Sequence, residues 1–122
     1  YDLGDATRRR MFAGVGRFSS YRSDGGARIG VLRSLDEGEN WSLVSTDMAG
    51  RNISGLHVNG AVVVAAVNAA NSGSCADFGL FRSVDGGATF AQLGAAQGLP
   101  AGLSTALVSH ASAPATLFAH VD

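Results

Sequence analysis

Two stretches of this chain carry nearly the same twelve residues. Gly30 to Trp41 reads GVLRSLDEGENW and Gly79 to Phe90 reads GLFRSVDGGATF, with Asp36 and Asp85 separated by 49 positions. Apolar segments recur in step with them. Met11-Phe12-Ala13-Gly14-Val15 aligns with Val63-Val64-Ala65-Ala66-Val67 at an offset of 52, and again with Leu117-Phe118-Ala119-His120-Val121 at a further 54. Elements that recur in the same order at a period near 50 are the mark of a repeat architecture, in which each unit buries its apolar faces against its neighbours. The chain therefore has to fold as a row of similar units.

One unit reads as four short strands. Strand A spans Ile53 to Val58, and Asn59-Gly60 is read as the centre of a type I′ hairpin turn, where both positions need positive φ. Strand B, Ala61 to Val67, is rich in valine and suits a buried, pleated sheet. A loop dense in Ser, Gly and Asn covers Asn68 to Asp77. Strand C is Phe78 to Ser83, the repeated phrase turns the chain, and strand D runs from near Thr89 to Leu93. Leu103 to Ser109 begins the next strand A. No window shows helical periodicity. Four short antiparallel strands per 50 or so residues is the pattern of a β-propeller blade. The expectation is an all-β chain of about two and a third blades: a partial blade over 1–50, a full blade over 51–100 and the start of another over 101–122. Propellers close with 4–8 blades, roughly 210 to 420 residues at this period. The chain thus reads as a fragment whose remaining blades lie in a longer parent, an expectation that the first residue, Tyr1, also suits; an isolated chain would have to cover its edges by oligomerising.

The repeated phrase has its own chemistry. Ser34, Asp36, Gly38 and Trp41 match Ser83, Asp85, Gly87 and Phe90. An aspartate at a turn can accept hydrogen bonds from backbone N–H groups just downstream. The glycine admits backbone conformations that other residues resist, and the aromatic opens the next strand with a large apolar surface. At these residues the sequence resembles the Asp-box, or bacterial neuraminidase repeat, whose pattern is Ser-x-Asp-x-Gly-x-Thr-Trp. The second copy departs from it by Phe90 for Trp, the first by Asn40 for Thr. Ser23-Asp24-Gly25-Gly26 does not fit, because its Asp directly follows the Ser. Gly98-Leu99-Pro100 resembles the linker between such blades.

The resemblance implies a β-propeller in which the boxes are structural and lie on the face away from the ligand. Ligands then meet the opposite face, built partly from the loops at 16–29 and 68–77. The first of these holds Arg17, Tyr21, Arg22 and Asp24. Sialidases that resemble this repeat use an arginine cluster for a substrate carboxylate, which the planar guanidinium binds bidentately, together with a tyrosine and an aspartate. A Phe-Arg-Ile-Pro-like signature is absent, and Glu37 and Glu39 sit in the box turn. The expectation is therefore a non-catalytic scaffold or module binding a protein or glycan, with no assigned catalytic residue. The alternative is a fragment of a glycoside hydrolase, sialidase-like or xyloglucanase-like. Resemblance also leans toward a secreted or periplasmic protein.

Composition narrows the partners. Net charge is −1, which gives no general attraction to nucleic acid or anionic membrane. All nine basic residues are arginine, seven of them within the first 33 positions. With the abundant Ala and Gly, this reads as the codon bias of a GC-rich bacterial genome. The single cysteine, Cys75, cannot form an internal disulfide. His57, His110 and His120 show no zinc spacing, and no cofactor or metal is expected. The longest aliphatic run, Ala61 to Val67, is far shorter than the roughly 20 residues of a membrane helix.

Overall fold

The computed structural model describes residues 1–16, 27–70, 74–100, 102, 104–110 and 112–121. They form an all-β chain of three antiparallel sheets. The first sheet holds β1 (Met11–Gly14), β2 (Val31–Ser34) and β3 (Ser42–Ser45). The second holds β4 (Arg51–Asn59), β5 (Val62–Ala70), β6 (Gly79–Ser83) and β7 (Ala91–Leu93). The third is the hairpin β8 (Ser104–His110) and β9 (Ala113–Val121). In each sheet, strands that follow one another in sequence pair side by side, so the chain meanders through each sheet.

The unbroken apolar run of β5 explains how the units stack. Val63, Val64, Ala65, Ala66 and Val67 are all buried, at most 5% exposed. A strand covered on both faces loses the polar alternation of a half-solvated one, and here the alternation survives in where the side chains go. Ala65 and Val67 join Ile53, Phe81, Val31 and Met48 in one core, with Phe12, Val44, Leu56 and Phe90 packed against it. Val64 and Ala66 join Leu80 in a second core, with Leu93, Leu99, Leu107 and Leu117 against it. The first core lies between the first and second sheets, the second between the second and third.

The correspondence between units holds position by position. Phe12, Val31, Val44 and Met48 of the first unit occupy the repeat positions of Val64, Leu80, Leu93 and Leu99 in the second, and each set packs against the unit that follows. Leu56 and Leu107 are likewise equivalent, and each packs against the unit before. Gly14 shows how closely the sheets approach, since a Cβ there would lie 2.4 Å from Cγ2 of Ile53.

Several boundaries differ from the sequence reading. Strand β5 runs on to Ala70, three residues into the expected loop, because β4 starts early at Arg51 and pairs with it: Arg51 lies opposite Ala70 and Asn52 opposite Ala69. Strand β7 is short and starts at Ala91 rather than near Thr89, since Thr89 is engaged by the preceding turn. A 3-10 turn at Cys75–Asp77 closes the loop after β5. The β4–β5 turn is corrected as well. Asn59 is still paired, opposite Val62, so the two loop residues are Gly60 and Ala61. Only Gly60 has positive φ, +62°, which is the glycine placement of a type II′ turn rather than a type I′ one.

Candidate functional site

The two repeated turns fold into the same hydrogen-bonded structure. In the first, Ser34 Oγ donates to Asp36 Oδ1 at 2.7 Å and accepts from the N–H groups of Asp36 and Gly38. Asp36 also accepts from the backbone N–H of Asn40 at 2.9 Å and from its side-chain amide at 2.7 Å. In the second, Ser83 Oγ donates to Asp85 Oδ1 at 2.7 Å and accepts from Asp85 and Gly87. There Asp85 accepts from the N–H of Thr89 at 2.9 Å and from its hydroxyl at 2.6 Å. Asn40 therefore does with its amide what Thr89 does with its hydroxyl. Ser34 and Ser83 are buried, 1% and 2% exposed, and anchor each turn to its sheet.

Each turn is also tied to the preceding strand pair. The N–H of Glu37 donates to the carbonyl of Arg9, and at the equivalent position Gly86 donates to that of Ala61. Both residues are left-handed, with φ of +64° and +74°. Glycine adopts this conformation freely, whereas a side chain at such a position is strained. Glu37→Gly is accordingly expected to raise the unfolding free energy by about 0.5–1 kcal/mol. Chemical denaturation against Gly86→Glu, expected to shift the other way, checks it.

The aromatic members diverge in surroundings. Phe90 packs into the core between the first and second sheets, and its N–H donates to Asp47 in the link between units at 3.1 Å. Trp41 stays 42% exposed on the outer face of the first unit, its indole N–H donating to the Gly38 carbonyl.

Both carboxyls titrate low. Asp36 is held at about 2, from an ordinary 3.8, chiefly by the backbone and side-chain N–H groups of Asn40 and then by Ser34. Asp85 is held at about 2 chiefly by the Thr89 hydroxyl, then by its N–H and by Ser83. Asp5 is held at about 2 in the same way, first by the Thr7 hydroxyl and then by the N–H of Arg10. Hydrogen bonds to the charged form favour ionisation. A carboxyl whose pKa falls on folding stabilises the fold above its unfolded value and loses that contribution as pH drops through the folded one. Stability is thus expected to be flat near neutrality and to fall between about pH 5 and pH 2. Thermal melts of the Asp36→Asn/Asp85→Asn double variant should show a shallower fall across that window, with the remaining slope carried partly by Asp5.

Arg17, Tyr21, Arg22 and Asp24, the expected ligand-face loop, lie outside the described residues. The histidines stand apart: His57 is buried on β4, while His110 and His120 are exposed on the third sheet. His120 stands at the repeat position of Gly14 and Ala66 and is exposed. Among the described residues no three His, Cys, Asp or Glu side chains gather as metal ligands would, and no helix is long and apolar enough to cross a membrane.

Sequence reading missed two features. One is a clasp at the start of the chain. Asp2 is fully buried, its Oδ1 accepting from the N–H groups of Gly4 at 2.8 Å and Gly60 at 2.7 Å, its Oδ2 paired with the Arg10 guanidinium. The Asp-x-Gly spacing was a signal for the local turn, but nothing in the sequence marks Gly60 as its long-range partner. The other is a groove of about 600 Å³ between the second and third sheets, lined mostly by aliphatic side chains. Comparison with models of known protein families, with curated proteins and with solved structures finds no match for this chain.

Proposed function

We propose that this chain is a non-catalytic scaffold segment of an Asp-box β-propeller, part of a module that binds a protein or glycan. The observation that carries the proposal is the matched state of the two boxes. Asp36 and Asp85 sit at equivalent places in successive units, and each has its oxygens engaged by Ser, backbone N–H and Asn or Thr within its own turn. A carboxylate that accepts several local hydrogen bonds and titrates near 2 is a poor proton donor at neutral pH. These aspartates are suited to holding a turn, and the retaining or inverting carboxylate pair of a glycosidase would have to come from elsewhere. The meander of β4–β7, stacked face to face between two other sheets, supports the blade reading.

Function on such a scaffold resides in grafted sites. The test is a panel of glycans titrated against the protein by calorimetry, run beside hydrolysis of a fluorogenic sialoside. Saturable binding without turnover is the expected result. Turnover abolished by Tyr21→Phe or Arg22→Ala, with the fold intact by circular dichroism, would replace this reading with a sialidase-like hydrolase.

A further inference from the structure

The turn between β4 and β5 places a self-reactive pair of residues under the Asp2 clasp. Asn59-Gly60 is the sole Asn-Gly pair in the sequence. Such a pair can deamidate without an enzyme. The glycine nitrogen attacks Cγ of the asparagine side chain, a C–N bond forms, and the side-chain amide leaves as ammonia with the proton that the attacking nitrogen gives up. Water then opens the cyclic succinimide to aspartate or isoaspartate. Glycine favours the attack because it has no Cβ to hinder the approach. Asn59 and Gly60 are half-buried and Ala61 is exposed, so water reaches the turn. Asn59 still pairs with Val62, which leaves the N–H of Gly60 outside the strand ladder. That N–H donates instead to Asp2 Oδ1 at 2.7 Å. The same oxygen accepts from the N–H of Gly4 at 2.8 Å. Gly4 in turn is pressed against both members of the pair: a Cβ there would lie 2.4 Å from the Gly60 nitrogen and 3.2 Å from Asn59 Oδ1. Asp2 is fully buried, with the Arg10 guanidinium as its counter-ion.

We infer that Asn59-Gly60 is a latent deamidation site which the Asp2 clasp keeps closed, and that the modification, once made, holds the clasp open. Two effects slow the reaction while the clasp is shut. Attack requires the Gly60 nitrogen without its proton, and an amide anion at hydrogen-bond distance from a carboxylate is disfavoured by like charge. The nitrogen must also turn toward Asn59 Cγ, which breaks its bond to Asp2 and lifts Asn59 out of the strand ladder. When the segment before β1 swings away, the restraint from Asp2 is gone. The product acts in the opposite direction. Aspartate at 59 puts a negative charge where a neutral carboxamide lay against Gly4, next to the buried carboxylate of Asp2. A buried charge without a partner is costly. Isoaspartate instead adds a backbone carbon before Gly60 and spoils the turn that presents its N–H. Either product disfavours reclosing, so a transient opening between the first and second units becomes a lasting one. The inference rests on the clasp alone and is independent of any ligand the protein binds.

The test incubates the whole 122-residue chain at mildly alkaline pH and follows the fragment containing Asn59 by mass spectrometry, which reads the exchange of an amide for an acid. A synthetic peptide with the sequence of Gly55–Val64 supplies the unshielded rate. The folded chain is expected to react at least about tenfold more slowly than the peptide, and Asp2→Ala at least about tenfold faster than the unaltered chain, the order of magnitude for losing a hydrogen bond to a charged group. Phe81→Ala separates shielding from general loosening. It weakens the core and leaves Asp2 in place, so its rate should stay near that of the unaltered chain under conditions where circular dichroism shows both variants folded. Asn59→Asp stands for the product. Its Leu3 and Gly60 amides should exchange faster than in the unaltered chain, with β5 still protected. A folded chain as reactive as the peptide, an Asp2→Ala rate equal to that of the unaltered chain, or equal rates for Phe81→Ala and Asp2→Ala would overturn the shielding. Leu3 and Gly60 amides still protected in Asn59→Asp would overturn the lasting release.

Discussion

Phe81→Ala is expected to lower the unfolding free energy by about 3–5 kcal/mol, the range for truncating a buried phenylalanine. Phe81 is 4% exposed and sits in the core that joins the first and second sheets. It is reached from Val31 and Met48 of one unit and from Ile53, Ala65 and Val67 of its own. The Arg51 guanidinium lies over its ring, 4.9 Å from the centroid, while pairing with Asp77, so truncation also removes the apolar platform under an ion pair. Phe118→Ala provides the contrast. That ring is 60% exposed on the outer face of β9, and its loss should change stability by no more than about 0.5 kcal/mol. Urea denaturation of both variants reads the stack directly. A large effect at Phe118 would mean that its face is covered in solution, and a small effect at Phe81 would mean that the first two sheets do not pack as described.

Much of this arrangement was legible from the residues. The repeat gave the strand order, because each apolar segment recurs with the same alternation and the phrase recurs with the same turn residues. Ser83, Asp85, Gly87 and Thr89 all serve in the turn as their types suggest, since each bond closes within a few residues and local chemistry decides it. The strand ends were less legible. Asn68, Ala69 and Ala70 have loop-like composition, yet they extend β5 because Arg51 and Asn52 lie opposite and offer backbone partners. The turn at Gly60 slipped by one residue from its expected centre for a similar reason. Asn59-Gly60 has the composition of a type I′ turn, but the register of β4 against β5 keeps Asn59 in the ladder.

The candidate site was legible in a different way. The box residues could be named, and their low titration follows from hydrogen bonds whose donors are adjacent in sequence. The groove could not be named, because it is bounded by side chains as distant as Val64 and Leu117 and becomes visible only when two sheets are stacked. The departure of Asn40 from threonine illustrates the tolerance of the turn: an amide at 40 reaches Asp36 Oδ2 as the hydroxyl at 89 reaches Asp85 Oδ2.

Asp2→Ala is expected to cost about 3 kcal/mol and to release the segment before β1, an effect as large as a core truncation from a residue near the chain start. Asp2 is fully buried and closes three connections at once: to Gly4 within its own turn, to Arg10 at the entry to β1, and to the N–H of Gly60 in the β4–β5 turn. Two further backbone bonds run alongside, from Asp2 N–H to the Arg10 carbonyl and from Leu3 N–H to the Val58 carbonyl. Removing the carboxylate leaves buried donors unpaired and a half-exposed guanidinium without its counter-ion, which costs more than the pair itself contributes. The approach is close, since a Cβ on Gly4 would meet the Gly60 nitrogen at 2.4 Å. Asp2→Asn should recover part of the loss, because an amide oxygen can still accept from Gly60. Hydrogen exchange at Leu3, Gly60 and Arg10 separates the local from the global effect. Fast exchange at all three in Asp2→Ala, with β5 amides still protected, would show the clasp opening ahead of the fold. Unchanged exchange at Gly60 would mean that Asp2 does not hold the first unit to the second.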